Sequence, residues 1–427
     1  MERVPAKRSV PLLAALYFAQ GLPFGFFIQA VPVLLRKSGA SLEVSTLATL
    51  LAFPWGMKFL WAPVVDRARH GGLGRRKRFI LPAQALVALL LAGLAFASPT
   101  TMGLGPLCAV FLLVSLASAA QDVATDALAV DLLAAEDRGL GNGVQVGGYR
   151  LGMIVGGGVV LMVIEDLGWR TSFLGMAALV VAAAIPVALF REPAPGHARG
   201  EADAMGASAN AVGASADGVG APANAAPTFF APIRSFLAQP DAGKLVVLLV
   251  LYKAGDALSG GIVRPFLVDR GLSLKDIGAA LGAIGSIAAV AGALLGGASL
   301  RRLGERRGLV IFAAVQAAAI LVYVGIAAGP TPLSAIYAAC AVEHFLGGAA
   351  TAALFAAMMG FCREETRATD YTVQACVVVA VQGIGGGLSG FLAARAGYQA
   401  HFAAALGLAL LAPFAVRVLW PGRLLLR

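Results

Sequence analysis

The residues able to do chemistry in this chain are charged side chains set in apolar surroundings. The string Gln121-Asp122-Val123-Ala124-Thr125-Asp126 places two carboxylates four residues apart, with Asp131 beyond them. On a helix that spacing puts Asp122 and Asp126 on one face. Two carboxylates on a buried face repel each other and lose hydration, which favours holding a proton. Proton carriage is the chemistry such a pair suits. Arg150 follows Tyr149 in Gly147-Gly148-Tyr149-Arg150-Leu151-Gly152. It can serve as counter-ion to Asp122 or Asp126, or meet an anionic group from outside, and the sequence leaves both open. Further along come Tyr252-Lys253-Ala254-Gly255-Asp256 and then Arg264. Lys253 and Asp256, three apart, can pair on one helix face. Glu343 joins Asp256 as a second candidate for protonation. His344 points about 100° away from Glu343 around a helix, so it reads as a satisfied interior histidine rather than a partner.

Other chemistries lack their residues. The four cysteines, Cys108, Cys340, Cys362 and Cys376, show no metal or redox spacing. No serine nucleophile elbow and no cluster of metal ligands is present, so we expect no catalytic residue, no metal and no cofactor. Gly156-Gly157-Gly158 and Gly385-Gly386-Gly387 follow no strand. They read as close-packing or hinge positions, not as phosphate loops. The aromatic residues Tyr17, Phe18, Phe24, Phe26 and Phe27 read as packed or lipid-facing side chains, with a cavity wall as the alternative.

The elements that must carry these residues follow from composition. Of the 427 residues 59% are hydrophobic and 13% charged, against about 25% charged in a soluble domain. So little charge could not solvate a chain of this length, which argues against a soluble enzyme. Twelve segments are long and apolar enough to cross a bilayer as helices. They run 12–32, 44–65, 79–98, 104–131, 141–164, 172–190, 244–268, 277–298, 309–328, 332–360, 371–394 and 400–420. The first is read as an uncleaved span. The net charge of +10 sits in short clusters between apolar runs, a topology signal rather than a nucleic-acid footprint. Both termini and the loops after even-numbered spans, with Lys244 and Arg417 at the span ends beside them, hold 23 of the 33 Lys and Arg. That bias predicts cytoplasmic termini.

Residues 191–243 are rich in Ala, Gly, Asn and Pro and show no hydrophobic period. They read as a flexible cytoplasmic linker between a six-helix bundle at 1–190 and another at 244–427. The halves repeat: Gly39 and Ser41 recur as Gly271 and Ser273, and Cys108-Ala109-Val110 recurs as Cys340-Ala341-Val342, all at one offset. The expected fold is an all-α membrane protein of two parallel six-helix repeats, the major facilitator architecture, with a binding site between them near the bilayer midplane.

Particular strings sharpen this. Gly21-Leu22-Pro23, the run from Lys58 through Trp61-Ala62-Pro63 to Asp66-Arg67, Gln121-Asp122 through Asp126 and Asp131, Tyr149-Arg150-Leu151-Gly152-Met153, and Leu251-Tyr252-Lys253-Ala254-Gly255-Asp256 resemble the AmpG-related permeases of the major facilitator superfamily. That group includes muropeptide permeases, siderophore permeases of the rhizobactin and pyochelin type and, more distantly, acetyl-CoA transporters. The resemblance implies a bacterial inner-membrane importer driven by the proton gradient. Asp122, Asp126, Asp256 and Glu343 would be its proton-coupling groups. Gln121, Tyr149, Arg150, Tyr252, Lys253 and Arg264 would contact substrate. Asp66, Arg67, Arg75 and Arg76 look like the family's cytoplasmic gating charges; Ala298 and Ser299 stand where the second half would repeat Asp and Arg. A compact twelve-span chain, together with Asp370-Tyr371-Thr372-Val373-Gln374, leans toward a ferric siderophore, with an anhydromuropeptide as the alternative. The partners expected are a small solute, protons and lipid, with the chain acting as a monomer. A membrane receptor without transport is the reading from another class; no signalling domain supports it.

Overall fold

The computed structural model describes residues 6–56, 76–97, 103–132, 138–191, 231–363 and 367–420, and its regular elements there are helices. Nine of them are long and apolar enough to span a bilayer. Two of the nine, Val144–Leu189 and Val373–Leu419, run 46 and 47 residues. A straight helix of that length reaches about 70 Å, more than twice a hydrocarbon core of about 30 Å. Each is interrupted by one glycine in a conformation other residues adopt at a cost: Gly168 at φ 77°, ψ 164° and Gly397 at φ 79°, ψ 164°.

We label the helices α1 (6–37), α2 (42–56), α3 (Lys77–Leu94), α4 (Leu104–Leu132), α5 (138–167), α6 (169–189), α7 (Ala242–Asp269), α8 (274–303), α9 (Glu305–Ala328), α10 (Leu333–Phe361), α11 (367–396) and α12 (398–419). The apolar helix α2 runs toward residues 57–75, which lie outside the described residues, as do the gating candidates Asp66, Arg67 and Arg75. Arg76 immediately precedes α3. Three rods widen by π-helical turns, at Phe26–Ala30 in α1, Ile154–Val159 in α5 and Gly278–Ile284 in α8. Outward faces stay apolar: Leu89 and Leu294 are each 70% exposed and Phe414 66%. Among water-facing surfaces that would be costly; against lipid tails it is not.

The helices group into two compact units. The first comprises residues 1–39, 48–202 and 271–282, the second 40–47, 203–270 and 283–427. The first is centred on α1, α4, α5 and α6. Phe26 meets Phe111 and Phe173 edge-on, with centroids 5.5 and 5.2 Å apart. Its closest packing is α1 on α5. Cβ atoms added to Gly21 and Gly25 would stand 2.0 Å from the Tyr149 carbonyl oxygen and 2.5 Å from Met153. From the other side, Gly152 and Gly156 would stand 2.3 and 1.9 Å from the Phe18 and Leu22 carbonyl oxygens. Only hydrogen at these positions lets two backbones approach so closely. The start of α8 belongs to this unit, where Gly278 and Gly282 meet Gly158 of α5.

The second unit repeats the scheme. Gly261 of α7 meets Gly386 of α11, and Gly385 meets Ala257, so both glycine triplets serve close packing. The start of α2 belongs here, with Thr46 Oγ1 donating to the Gly387 carbonyl at 3.2 Å. Gly39 and Gly271 both take positive φ, +90° and +79°. Two residues later Ser41 and Ser273 each accept from a backbone N–H three residues on, Val44 at 3.3 Å and Asp276 at 3.0 Å. The repeat read from the strings is therefore a repeated turn and helix cap. Ala231–Leu237, within the stretch expected to be a linker, is a short helix whose Phe236 is fully buried against Phe361.

Candidate functional site

In the first unit, the glycine contact of α1 with α5 brings Tyr17 and Gln145 beside α4. Asp122 and Asp126 are each 6% exposed. The Tyr17 hydroxyl donates to Asp126 Oδ1 at 3.2 Å, and Gln145 Nε2 reaches the same oxygen at 3.4 Å. Tyr149 lies in the field of both aspartates. The expected ion pair is not formed: among the described residues no carboxylate stands within 4 Å of Arg150, and Tyr149 is the neighbour whose field it feels. Neutral donors attend Asp126 instead: Tyr17 of α1, read from the sequence as a packed, lipid-facing or cavity-wall aromatic, and Gln145 of α5, which the sequence did not single out. Gln121 Nε2, Thr125 Oγ1 and both polar atoms of Gln20 are buried without a partner among the described residues. Buried polar atoms in native proteins are nearly always satisfied, so these groups suit a polar solute or water.

In the second unit, Lys253 is 1% exposed. Its Nζ donates to Asp256 Oδ2 and Thr351 Oγ1, both at 2.9 Å. The spacing of three predicted the ion pair; Thr351, on α10, is an addition. The Tyr252 hydroxyl donates to the Ala350 carbonyl at 3.3 Å. Arg264 donates from Nη1 to its own helix at Gly260 O, 3.3 Å away, while its Nε is buried without a partner among the described residues. It lies in the field of Glu343, Tyr323 and Cys340.

Glu343 and His344 differ from the expectation. His344 Nδ1 is 2.7 Å from Glu343 Oε2 and 2.9 Å from the Cys340 carbonyl oxygen. The helical angle between neighbours is as stated, but the imidazole turns back along α10 toward the preceding turn. Its Nδ1 then lies beside the backbone, where the longer glutamate arm reaches it. Gln316 of α9 joins them: its Nε2 is buried without a partner among the described residues and lies 3.7 Å from where a Cβ on Gly347 would stand.

Asp370, read as a hint about substrate, has a structural role. It is fully buried and accepts from Arg363 through the backbone N–H and Nε, each at 3.0 Å, and through Nη2 at 2.8 Å. Arg363 also donates to Ser235 at 3.1 Å. The clamp ties the end of α10 to α11 and to the short helix before α7.

Known proteins place this arrangement. Residues 13–373 match the family described as Major Facilitator Superfamily. The anhydromuropeptide permease of Escherichia coli (strain K12) is 30% identical over 364 residues, covering 85% of this chain and 70% of that one. A Rickettsia conorii chain named as an AmpG transporter is 24% identical over 358 residues, 83% of this chain and 82% of the other. In fold the chain is similar to an inward-facing bacterial homolog of the human lysosomal transporter Spinster. The TM-score is 0.70 at 16% identity, covering 97% of this chain and 98% of that one. Two helical units, each built on close glycine contacts and each with charges buried inside it, and a family match across most of the sequence make one conclusion: the chain belongs to the Major Facilitator Superfamily.

Proposed function

We propose that the protein is a proton-coupled importer of anhydromuropeptides in the bacterial inner membrane, with both termini in the cytoplasm. The observation that carries the substrate is the 30% identity to an anhydromuropeptide permease over 85% of the chain. The ferric-siderophore expectation has no such support, and its sequence hint, Asp370, is committed to Arg363. The buried charges fit transport of a polar, charged solute, because such groups in a span are costly unless a polar path needs them. Asp122, Asp126, Asp256 and Glu343 can hold the proton. Of the cations set within the spans, Arg150 and Arg264 have no carboxylate within 4 Å among the described residues, and so suit an anionic solute. Arg76, with Asp66, Arg67 and Arg75, remains a candidate gate. Lys253 is committed to Asp256 and Thr351 and is assigned to structure rather than substrate.

The test is uptake of a labelled anhydromuropeptide into proteoliposomes containing the full chain. Accumulation above the external concentration is expected with an inward proton gradient and only equilibration without one. Equal uptake in both conditions would remove proton coupling. No uptake in either, alongside an active E. coli permease control, would remove the substrate.

A further inference from the structure

We infer that Arg264, Glu343 and His344 form one site that takes up a proton and an anionic group of the solute together. This rests on the transport reading and names where the two ligands meet. His344 Nδ1 faces two acceptors, Glu343 Oε2 at 2.7 Å and Cys340 O at 2.9 Å. A carboxylate and a carbonyl cannot donate, so Nδ1 carries the hydrogen and Nε2 is the nitrogen left to gain a proton. Nε2 faces α8 at Gly285, where a Cβ would stand 3.0 Å away; the missing side chain makes room for the ring.

The charges then decide the stoichiometry. With Nε2 bare, His344 is neutral, and Glu343 and Arg264 cancel. A proton on Nε2 leaves one uncompensated positive charge in a medium that tolerates it poorly. An anion at Arg264 without the proton leaves one negative charge. The site is neutral when empty or when it holds one proton and one anionic group. Among the described residues, the groups acting on His344 are Glu343 and Cys340 of α10 and Arg264 of α7. Tyr323 of α9 donates to Cys340 Sγ at 3.6 Å.

Donors for the anion are present and unused. Arg264 Nε and Gln316 Nε2 are buried without partners among the described residues, and Gln316 is 4% exposed. Gly347, which lacks a side chain, leaves open the space 3.7 Å from Gln316 Nε2 and 3.9 Å from Glu343 Oε1. A buried donor without an acceptor is costly. A carboxylate, with four lone-pair sites on two oxygens, would supply acceptors to both. The solute class is therefore a carboxylate-bearing molecule.

Two experiments test this. In proteoliposomes with labelled anhydromuropeptide, Glu343→Gln and His344→Gln should lower gradient-driven accumulation about tenfold or more, the scale of ordinary coupling between ligands. Counterflow exchange, which needs binding but no net proton movement, should stay near wild type. Arg264→Gln should lose both. Wild-type accumulation in either dyad variant, or equal loss of accumulation and counterflow in both, overturns the proposal. The second experiment does not depend on the solute's identity. Imidazole nitrogen NMR of the purified full chain, with His344→Gln assigning the signal, should show the proton on Nδ1 and titration at Nε2. Sodium acetate in place of sodium chloride should displace that titration by about one pH unit, and Arg264→Gln should abolish the displacement. A bare Nδ1, or a titration indifferent to acetate, overturns the site even if anhydromuropeptide proves not to be the cargo.

Discussion

Lys253 shows how a charge can sit in an apolar helix as a structural part. Its side chain is almost fully enclosed, and two of its three N–H donors are taken by Asp256 and Thr351. Removing one member of a buried pair strands the other, at a cost of about 3–5 kcal/mol. Lys253→Met is therefore expected to lower the melting temperature of the detergent-purified protein. Adding Asp256→Leu should recover most of the loss, because two well-packed apolar groups replace the pair. A double variant no more stable than the single one would show that Lys253 acts otherwise. This pair was legible because both partners lie on one helix at a spacing that fixes their approach. Tyr17 and Asp126 were not, since 109 residues separate them and only the packing of α1 against α4, alongside its close approach to α5, joins them. Glu343 and His344 were misread for a different reason. Helical angle places Cβ atoms, but the rotamer that turns the imidazole toward Cys340 decides the contact.

The same approach of α1 to α5 governs what happens at the level of elements. A Cβ at Gly156 would stand 1.9 Å from the Leu22 carbonyl oxygen, whereas one at Gly147 would meet nothing within 4 Å. Gly156→Ala must push the helices apart, and overpacking of this kind costs about 1–3 kcal/mol. It should also part Tyr17 from Asp126, so lost transport should accompany lost stability. Gly147→Ala should be neutral or stabilising by up to about 1 kcal/mol, as expected for alanine replacing a helical glycine. Thermal unfolding of the two variants compares them directly; equal melting temperatures would deny the contact its importance. Helix positions were legible because about 20 apolar residues in a row have few other uses. The π-helical turns in α1, α5 and α8 were not, since one extra residue per turn leaves composition and hydropathy unchanged. The breaks at Gly168 and Gly397 fall in the gaps predicted between neighbouring spans, where a membrane-sized helix has to end.

For the molecule as a whole, the internal repeat and the distribution of cations are the two properties the sequence displays most openly. The repeat is physical: Gly39 and Gly271 make the same positive-φ turn, and Ser41 and Ser273 cap the helices that follow. Substrate identity is far less legible, because it depends on a few side chains brought together from distant segments. Orientation depends on charge summed over many loops, and can be tested without knowing the cargo. The cation-rich loops include the one at Gly304, flanked by Arg301, Arg302, Arg306 and Arg307, while the loop at Gly329 to Pro332 carries no Lys or Arg. Retention of Lys and Arg on the cytoplasmic side then predicts Gly304 inside and Gly329 outside. Alkaline phosphatase, which matures only outside the cytoplasm, should be active when fused after Gly329 and inactive after Gly304. Green fluorescent protein at the C-terminus should fluoresce. The reverse pattern would turn the protein over in the membrane and, with it, the direction in which the proton gradient drives the solute.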